Sequence, residues 1–382
     1  MSSIAEAGAG AGSGARVSRR PGVIGVLLAL AFMAGSLALN WPYAREGFQA
    51  DDLLFVNILR QDPLPFSRWR GAWSAPIEGC PSFRTLWWFE DGAVGSFWRP
   101  VPSLAFEGSL RLFGDNALPL HLLSILLHGL VAFTGACFLA RLTERRRIAL
   151  LAGVLYLLCP HHGTAVGWIS AGSEVMCVLF LNLAFIAHLR WREARRPAWL
   201  AVSLGLLVLA LASKESAVAG PAGVVLLEWF LARLEAPGWR ARARAWRRAA
   251  VIWAPACLLL VAYLAAYRVL GLGGMENLDY TDPFRHPVAF ITQAAARLPA
   301  LLSALLSLLP PSTALFVPAS VAFFVVAGAA LFVLWLPAVR SVLRGPADGW
   351  VLAYVLVTLL PQLATDAHER LLYYPLVLAT YL

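Results

Sequence analysis

Apolar runs about as long as a bilayer is thick recur along this chain, separated by short clusters of arginine. They fall at 21–40, 117–140, 148–160, 173–189, 197–213, 216–234, 250–270, 319–337, 350–363 and 369–382. Of the 382 residues, 59% are hydrophobic and only 14% are charged, against roughly 25% charged in a soluble domain. Too little polar surface is available to cover a water-soluble particle, so lipid must form the covering. The expected architecture is an all-α integral membrane protein of about ten or eleven helices, with no soluble domain of its own.

The net charge of +9 does not indicate nucleic-acid binding, because the arginines lie between spans, where basic residues are retained on the cytoplasmic side. Arg16, Arg19 and Arg20 close a cytoplasmic tail (1–20). The run behind them is too long for a signal-peptide core and lacks a cleavage site. Basic clusters follow at 141–147, 190–196 and 233–248, after each further pair of spans. The orientation that satisfies all of them places 41–116 on the outer side as a large first loop carrying short interfacial helices. It also makes 271–318 a second outer segment. For Arg340 and Arg344 to be cytoplasmic, a single helix must cross between 287 and 340. The run 319–337 is the better candidate, since 288–309 contains Gln293, Arg297 and Pro299. The latter is expected to lie along the interface or re-enter. The alternative is an ordinary span there, with 340–344 outside. The last run stops at Leu382 without a polar flank, as expected of a piece of a longer protein. Arginine in place of lysine, with much alanine and leucine, suits a GC-rich bacterial genome and hence a bacterial cytoplasmic membrane.

This topology gathers polar residues on the outer face. Asp51 and Asp52 follow the first span, Arg99 and His121 precede or open the second, and His161, His162 and Glu174 join spans three and four. Lys214 and Glu215 join spans five and six, and His368, Glu369, Arg370 and Tyr373 open the last. Ionisable groups at membrane depth are costly and mark function. The acid pair opens an apolar stretch, 53–59, that reads as a short helix on the membrane. N-capping alone would account for acids there, but a second acid near other polar groups favours catalysis. Lys214 is the only lysine among 31 basic residues, and a compact ammonium makes a good point-charge ligand for phosphate. A Lys214–Glu215 pair at a helix end is the plainer alternative. Adjacent His161 and His162 diverge and lack a third ligand at metal spacing, so neither a metal nor a cofactor is expected. For His128, a hydrogen bond between packed helices is the favoured role. The Trp- and Arg-rich stretch 60–98 serves either as a headgroup anchor or as a holder of sugar or lipid phosphate. The five cysteines, of which only Cys80 lies in a long polar loop, form no disulfide framework.

Six short motifs in order resemble the GT-C membrane glycosyltransferases, and most closely the protein O-mannosyltransferase-like branch that includes the transmembrane and tetratricopeptide-repeat mannosyltransferases. They are Asp51-Asp52 with Asn57; Trp98-Arg99-Pro100 with Phe113-Gly114; His121 through His128; Cys159-Pro160-His161 through Trp168-Ile169-Ser170; Ser213-Lys214-Glu215-Ser216-Ala217 with Pro221; and Glu369-Arg370 with Tyr373 and Pro375. The resemblance implies a polyprenyl-phosphate-linked sugar donor and metal-independent inverting transfer to a hydroxyl of a protein or glycan acceptor. It makes Asp51 or Asp52 the general base, and Lys214, supported by Arg99 or Arg370, the phosphate ligand. Glu215, His121, His161, His162, Glu369 and Tyr373 would line the donor site. The chain departs from the pattern at Glu174, where relatives often carry a basic residue, and in lacking tetratricopeptide repeats. A transporter or flippase would show internal repeats and broken midplane helices, and a non-catalytic scaffold would have lost the acid or Lys-Glu pair. Neither description fits the motifs as well.

Overall fold

A computed structural model describes residues 22–53, 55–56, 97–236, 238–270, 272, 280–307, 309–312, 320–342 and 346–382. Asn57, Cys80, the tail arginines and the Trp- and Arg-rich stretch up to 96 lie outside them. The described residues form helices and no strand, apart from an isolated bridge between Tyr280 and Thr365. The helices are α1 (Val23–Asn40), α2 (Pro100–Phe113), α3 (Leu118–Thr143), α4 (Arg146–Leu158), α5 (Gly172–Ala194), α6 (Pro197–Leu211), α7 (Ala219–Glu235), α8 (Trp239–Arg248), α9 (Ala250–Val269), α10 (Pro287–Leu306), α11 (Ser320–Val342), α12 (Pro346–Leu359) and α13 (Tyr373–Ala379).

By length and composition, seven described stretches can cross a membrane: Val23–Arg45, Leu118–Thr143, Ile169–Ala194, Glu215–Arg233, Ala250–Val269, Pro287–Leu306 and Ala347–Ala364. An eighth arises if Arg146–Leu158 and Pro160–Gly167, bent by 55°, count as one span, and Pro197–Leu211 and Ala322–Leu331 are shorter apolar stretches. The chain is a multi-pass membrane protein.

Small residues let these helices meet. A Cβ on Gly129 of α3 would lie 2.6 Å from the Met33 Cα of α1, a close approach typical of membrane helices. Ser36 of α1 donates to the Ile125 carbonyl at 2.6 Å. The break after α4 follows from Pro160: the preceding residue, Cys159, is extended, because a proline disfavours the helical region before it.

The bundle has two chemically different ends. One holds the basic connections, where Arg145 meets Asp348 at 3.2 Å, Arg141 meets Glu193 at 3.0 Å, and Arg192 and His188 share buried Glu228 at 2.5 and 2.7 Å. The other gathers 41–53, 55–56, 97–117, 159–173, 212–218 and 360–372.

The structure departs from the expected spans in two places. The run 369–382 is a 3-10 turn followed by the short α13, whose residues 373–378 are all buried inside the bundle. Its apolar character serves protein packing, not lipid. The second departure is α10, expected to lie along the interface or re-enter, which is a helix long and apolar enough to cross the membrane. It packs along α11, where Gly328 faces Pro299 and Ser303. At the polar end, Arg297 donates to the Leu363 carbonyl at 3.0 Å and pairs with Asp366 at 2.7 Å, and His161 Nε2 lies 3.1 Å from the Ser307 carbonyl.

Candidate active site

The chain enters the polar end through the 3-10 turn Trp41–Arg45 and then reverses at Ala50, whose φ of 42° is left-handed. Few non-glycine residues adopt that conformation, and it concentrates at functional sites. A helical turn follows at once, so Ala50 fixes where the two acids point.

The two carboxylates have different surroundings. Asp52 is fully buried. Its Oδ1 accepts from the Ser170 amide at 2.8 Å and from the Ser170 hydroxyl, and its Oδ2 accepts from the Gln49 amide at 3.1 Å. Burial raises its carboxyl above the ordinary value, and these donors pull it back. Both oxygens are thus occupied, Oδ1 tying the first loop to the segment that follows the break after α4 and Oδ2 closing the turn from Gln49. Asp51 keeps solvent access. It sits deep enough in a recess that partial desolvation raises its carboxyl, against the pull of Arg370.

The cations divide in a similar way. Arg99 grips Glu215 with Nε and Nη2 at 3.0 and 2.7 Å. The Tyr267 hydroxyl donates to the same carboxylate at 3.0 Å, and Arg99 lies 4.6 Å over the Phe97 ring. Lys214 pairs with Glu174, whose side chain is 1% exposed. In place of the plainer alternative, a Lys214–Glu215 pair, the structure has two crossed pairs, each joining separate elements. Arg370 makes no ion pair with a described residue. Its guanidinium lies 5.2 Å over the Trp168 ring, and its buried Nε has no hydrogen-bond partner.

The remaining expected residues fall around this set. His121 points Nε2 at the Gly47 carbonyl at 3.5 Å, and its buried Nδ1 lacks a partner. Glu369 stands 3.6 Å from His368, with a buried oxygen unpartnered. His162 and Tyr373 belong to a buried aromatic plug beneath the site. The His162 ring lies 4.2 Å from Tyr156, 4.8 Å from Tyr373 and 5.1 Å from His128. His128 Nδ1 meets the Tyr373 hydroxyl at 2.7 Å, the packing bond expected of it. Trp168 and Gln362 also carry buried polar atoms without a hydrogen-bond partner among the described residues. Among the described residues no His, Cys, Asp or Glu cluster could hold a metal ion.

Sequence reasoning passed over Ser170 as the partner of Asp52 and Trp168 as the platform under Arg370, although both stood inside a quoted motif. It also passed over Glu46 and Gln49, which line a cleft of about 350 Å³ with Tyr43, Ala50, Thr164 and Trp168.

Residues 99–263 match the model of the dolichyl-phosphate-mannose-protein mannosyltransferase family. The resemblance to that family is shown. The stretch holds Arg99, His121, the 160–174 segment and the Lys214-Glu215 pair, but neither Asp51, Asp52 nor Arg370. Two relatives come from Drosophila melanogaster. Protein O-mannosyl-transferase Tmtc2 is 29% identical over 180 residues, 45% of this chain and 18% of its own length. Protein O-mannosyl-transferase Tmtc1 is 30% identical over 164 residues, 43% of this chain and 16% of its own. The chain thus spans less than a fifth of the length of these curated relatives. No solved structure matches it.

Proposed function

We propose that this chain is a glycosyltransferase of the mannosyl-transferring kind, moving a hexose from a polyprenyl-phosphate donor onto a hydroxyl of a polypeptide acceptor at the outer membrane face. The observation that carries the assignment of roles is the contrast between the two acids. A general base must have a free oxygen within reach of the proton it takes. Asp51 is open to the site, whereas both Asp52 oxygens are occupied. In the proposed step the acceptor hydroxyl loses its proton to Asp51 as its oxygen bonds to the sugar C1. The bond from C1 to the phosphate oxygen breaks with inversion, and polyprenyl phosphate leaves with the electron pair. Charge grows on that phosphate, and a fixed cation in a water-poor site stabilises it strongly. Arg370 is the candidate, being uncommitted to any carboxylate. Arg99 and Lys214 hold the site's walls through their pairs with Glu215 and Glu174.

The contacts of Arg297 and Ser307 at the polar end support the reading of 271–318 as an outer segment. The family match and the names of the relatives support the sugar class and the protein acceptor. The test is sugar transfer from a polyprenyl-phosphate hexose by purified protein. Asp51→Asn should lower kcat by about 10²–10⁴-fold, the usual contribution of a general base, while Asp52→Asn should retain measurable turnover. The reverse order would reject Asp51 as the base.

A further inference from the structure

The cleft beside the acids differs in charge from the rest of the site. Its lining includes Glu46, Gln49, Thr164, Tyr43 and Trp168, and contains one carboxylate and no cationic side chain. Its volume, about 350 Å³, falls in the range of small ligand clefts. Glu46 is exposed and makes no ion pair among the described residues; its partner there is the Gln49 side-chain amide. Even adjacent Arg45 turns elsewhere, lying 6.0 Å over the Trp41 ring. A phosphate would meet repulsion here. Ala50 is also in the lining, and the next residue is Asp51, so whatever fills the cleft lies beside the proposed base. Trp168 borders the cleft and carries Arg370 over its ring, so its indole separates the two regions. The floor is kept low by Gly163 and Gly167, where a Cβ would lie 2.8 and 2.6 Å from Tyr43.

We infer that this cleft is the acceptor subsite, and that it selects serine- or threonine-bearing polypeptide segments with a cationic residue beside the hydroxyl through Glu46. The polypeptide class follows from the unpaired carboxylate: it rewards a cationic flank, which a polypeptide can supply and a neutral glycan cannot. The inference rests on the transferase reading above and adds to it a sequence preference of the acceptor.

The experiment measures transfer from one polyprenyl-phosphate hexose to three synthetic peptides that differ only in the residue flanking a single serine: lysine, glutamine or glutamate. Wild-type protein should favour the lysine peptide over the glutamate peptide by about fivefold in kcat/KM, the size of an exposed ion pair. Glu46→Gln should erase the preference and Glu46→Lys should reverse it, with KM for the donor unchanged. Thr164→Trp should raise KM for all three peptides without raising KM for the donor. Transfer with a preference that ignores residue 46 would overturn the subsite and leave the transferase reading standing. Donor turnover with no transfer to any peptide would overturn the polypeptide class. No donor turnover in wild-type protein would overturn the reading on which the subsite rests.

Discussion

The crossed pairing of Lys214 with Glu174 yields a measurement that separates structure from donor binding. Glu174 is at 1% side-chain exposure and Lys214 at 14%, so removing either leaves its partner buried and uncompensated. Breaking a buried pair from one side costs about 3–5 kcal/mol, whereas replacing both partners with apolar residues is often close to neutral. Glu174→Gln and Lys214→Met should therefore each destabilise by about 3 kcal/mol, the lower bound because lysine retains some water. The double variant should lose far less than the sum, giving a coupling of at least about 2 kcal/mol. Denaturation of the purified protein in mixed micelles, read by tryptophan fluorescence, would supply the cycle. Donor binding adds the functional half. If Arg370 carries the phosphate, the double variant keeps its KM for donor within about threefold, while Arg370→Gln raises KM or lowers kcat by about a hundredfold, comparable to losing a charge-stabilising donor. An additive cycle would refute the buried pair. Loss of donor affinity in the double variant with none in Arg370→Gln would refute the assignment of the phosphate ligand.

Three further outcomes are expected. At Ala50, whose φ is 42°, Ala50→Gly should keep or raise transfer and Ala50→Val should impair it, since a left-handed β-branched residue costs about 1–2 kcal/mol; kcat on one acceptor is the measurement. For pH, Asp51 is active as the carboxylate, and desolvation raises it against the opposing pull of Arg370. Activity should therefore fall as pH drops through a point above the ordinary carboxylate range. Arg370→Gln removes the downward pull, so the acid limb of log kcat should move to higher pH; a shift to lower pH would contradict the pairing. Finally, transfer should survive dialysis against a divalent-metal chelator, and a loss restored by added cation would overturn the metal-independent mechanism.

The arginine clusters made the two chemical ends legible, because their placement follows a rule about the membrane and not about the fold; the expected ten or eleven spans exceed the seven or eight described stretches long and apolar enough to cross. Lys214 stood out for being a lone lysine. Its partner was not legible, because adjacency in sequence says little about adjacency in space: Glu174 is 40 residues away, and Glu215 reaches back 116 residues to Arg99. Hydropathy also could not distinguish a segment wrapped in protein from one wrapped in lipid, so 369–382 read as a span although α13 is enclosed. The different duties of Asp51 and Asp52 were unreadable for a related reason. They depend on Ser170, which the break at Pro160 brings within hydrogen-bonding distance, and nothing local to the acid pair announces it.

The hydrogen bonds from Ser170 to Asp52 fasten the first loop to the interrupted fourth helix, so the proposed base and the tryptophan beside it travel as one rigid piece. Segment 365–372, with Arg370, meets that piece through a guanidinium resting on an indole, a contact that can slide without leaving a buried charge stranded. For the donor proposed above, a lipid tail arriving from the membrane would meet this seam, and the cation proposed to receive its headgroup would be the part that yields.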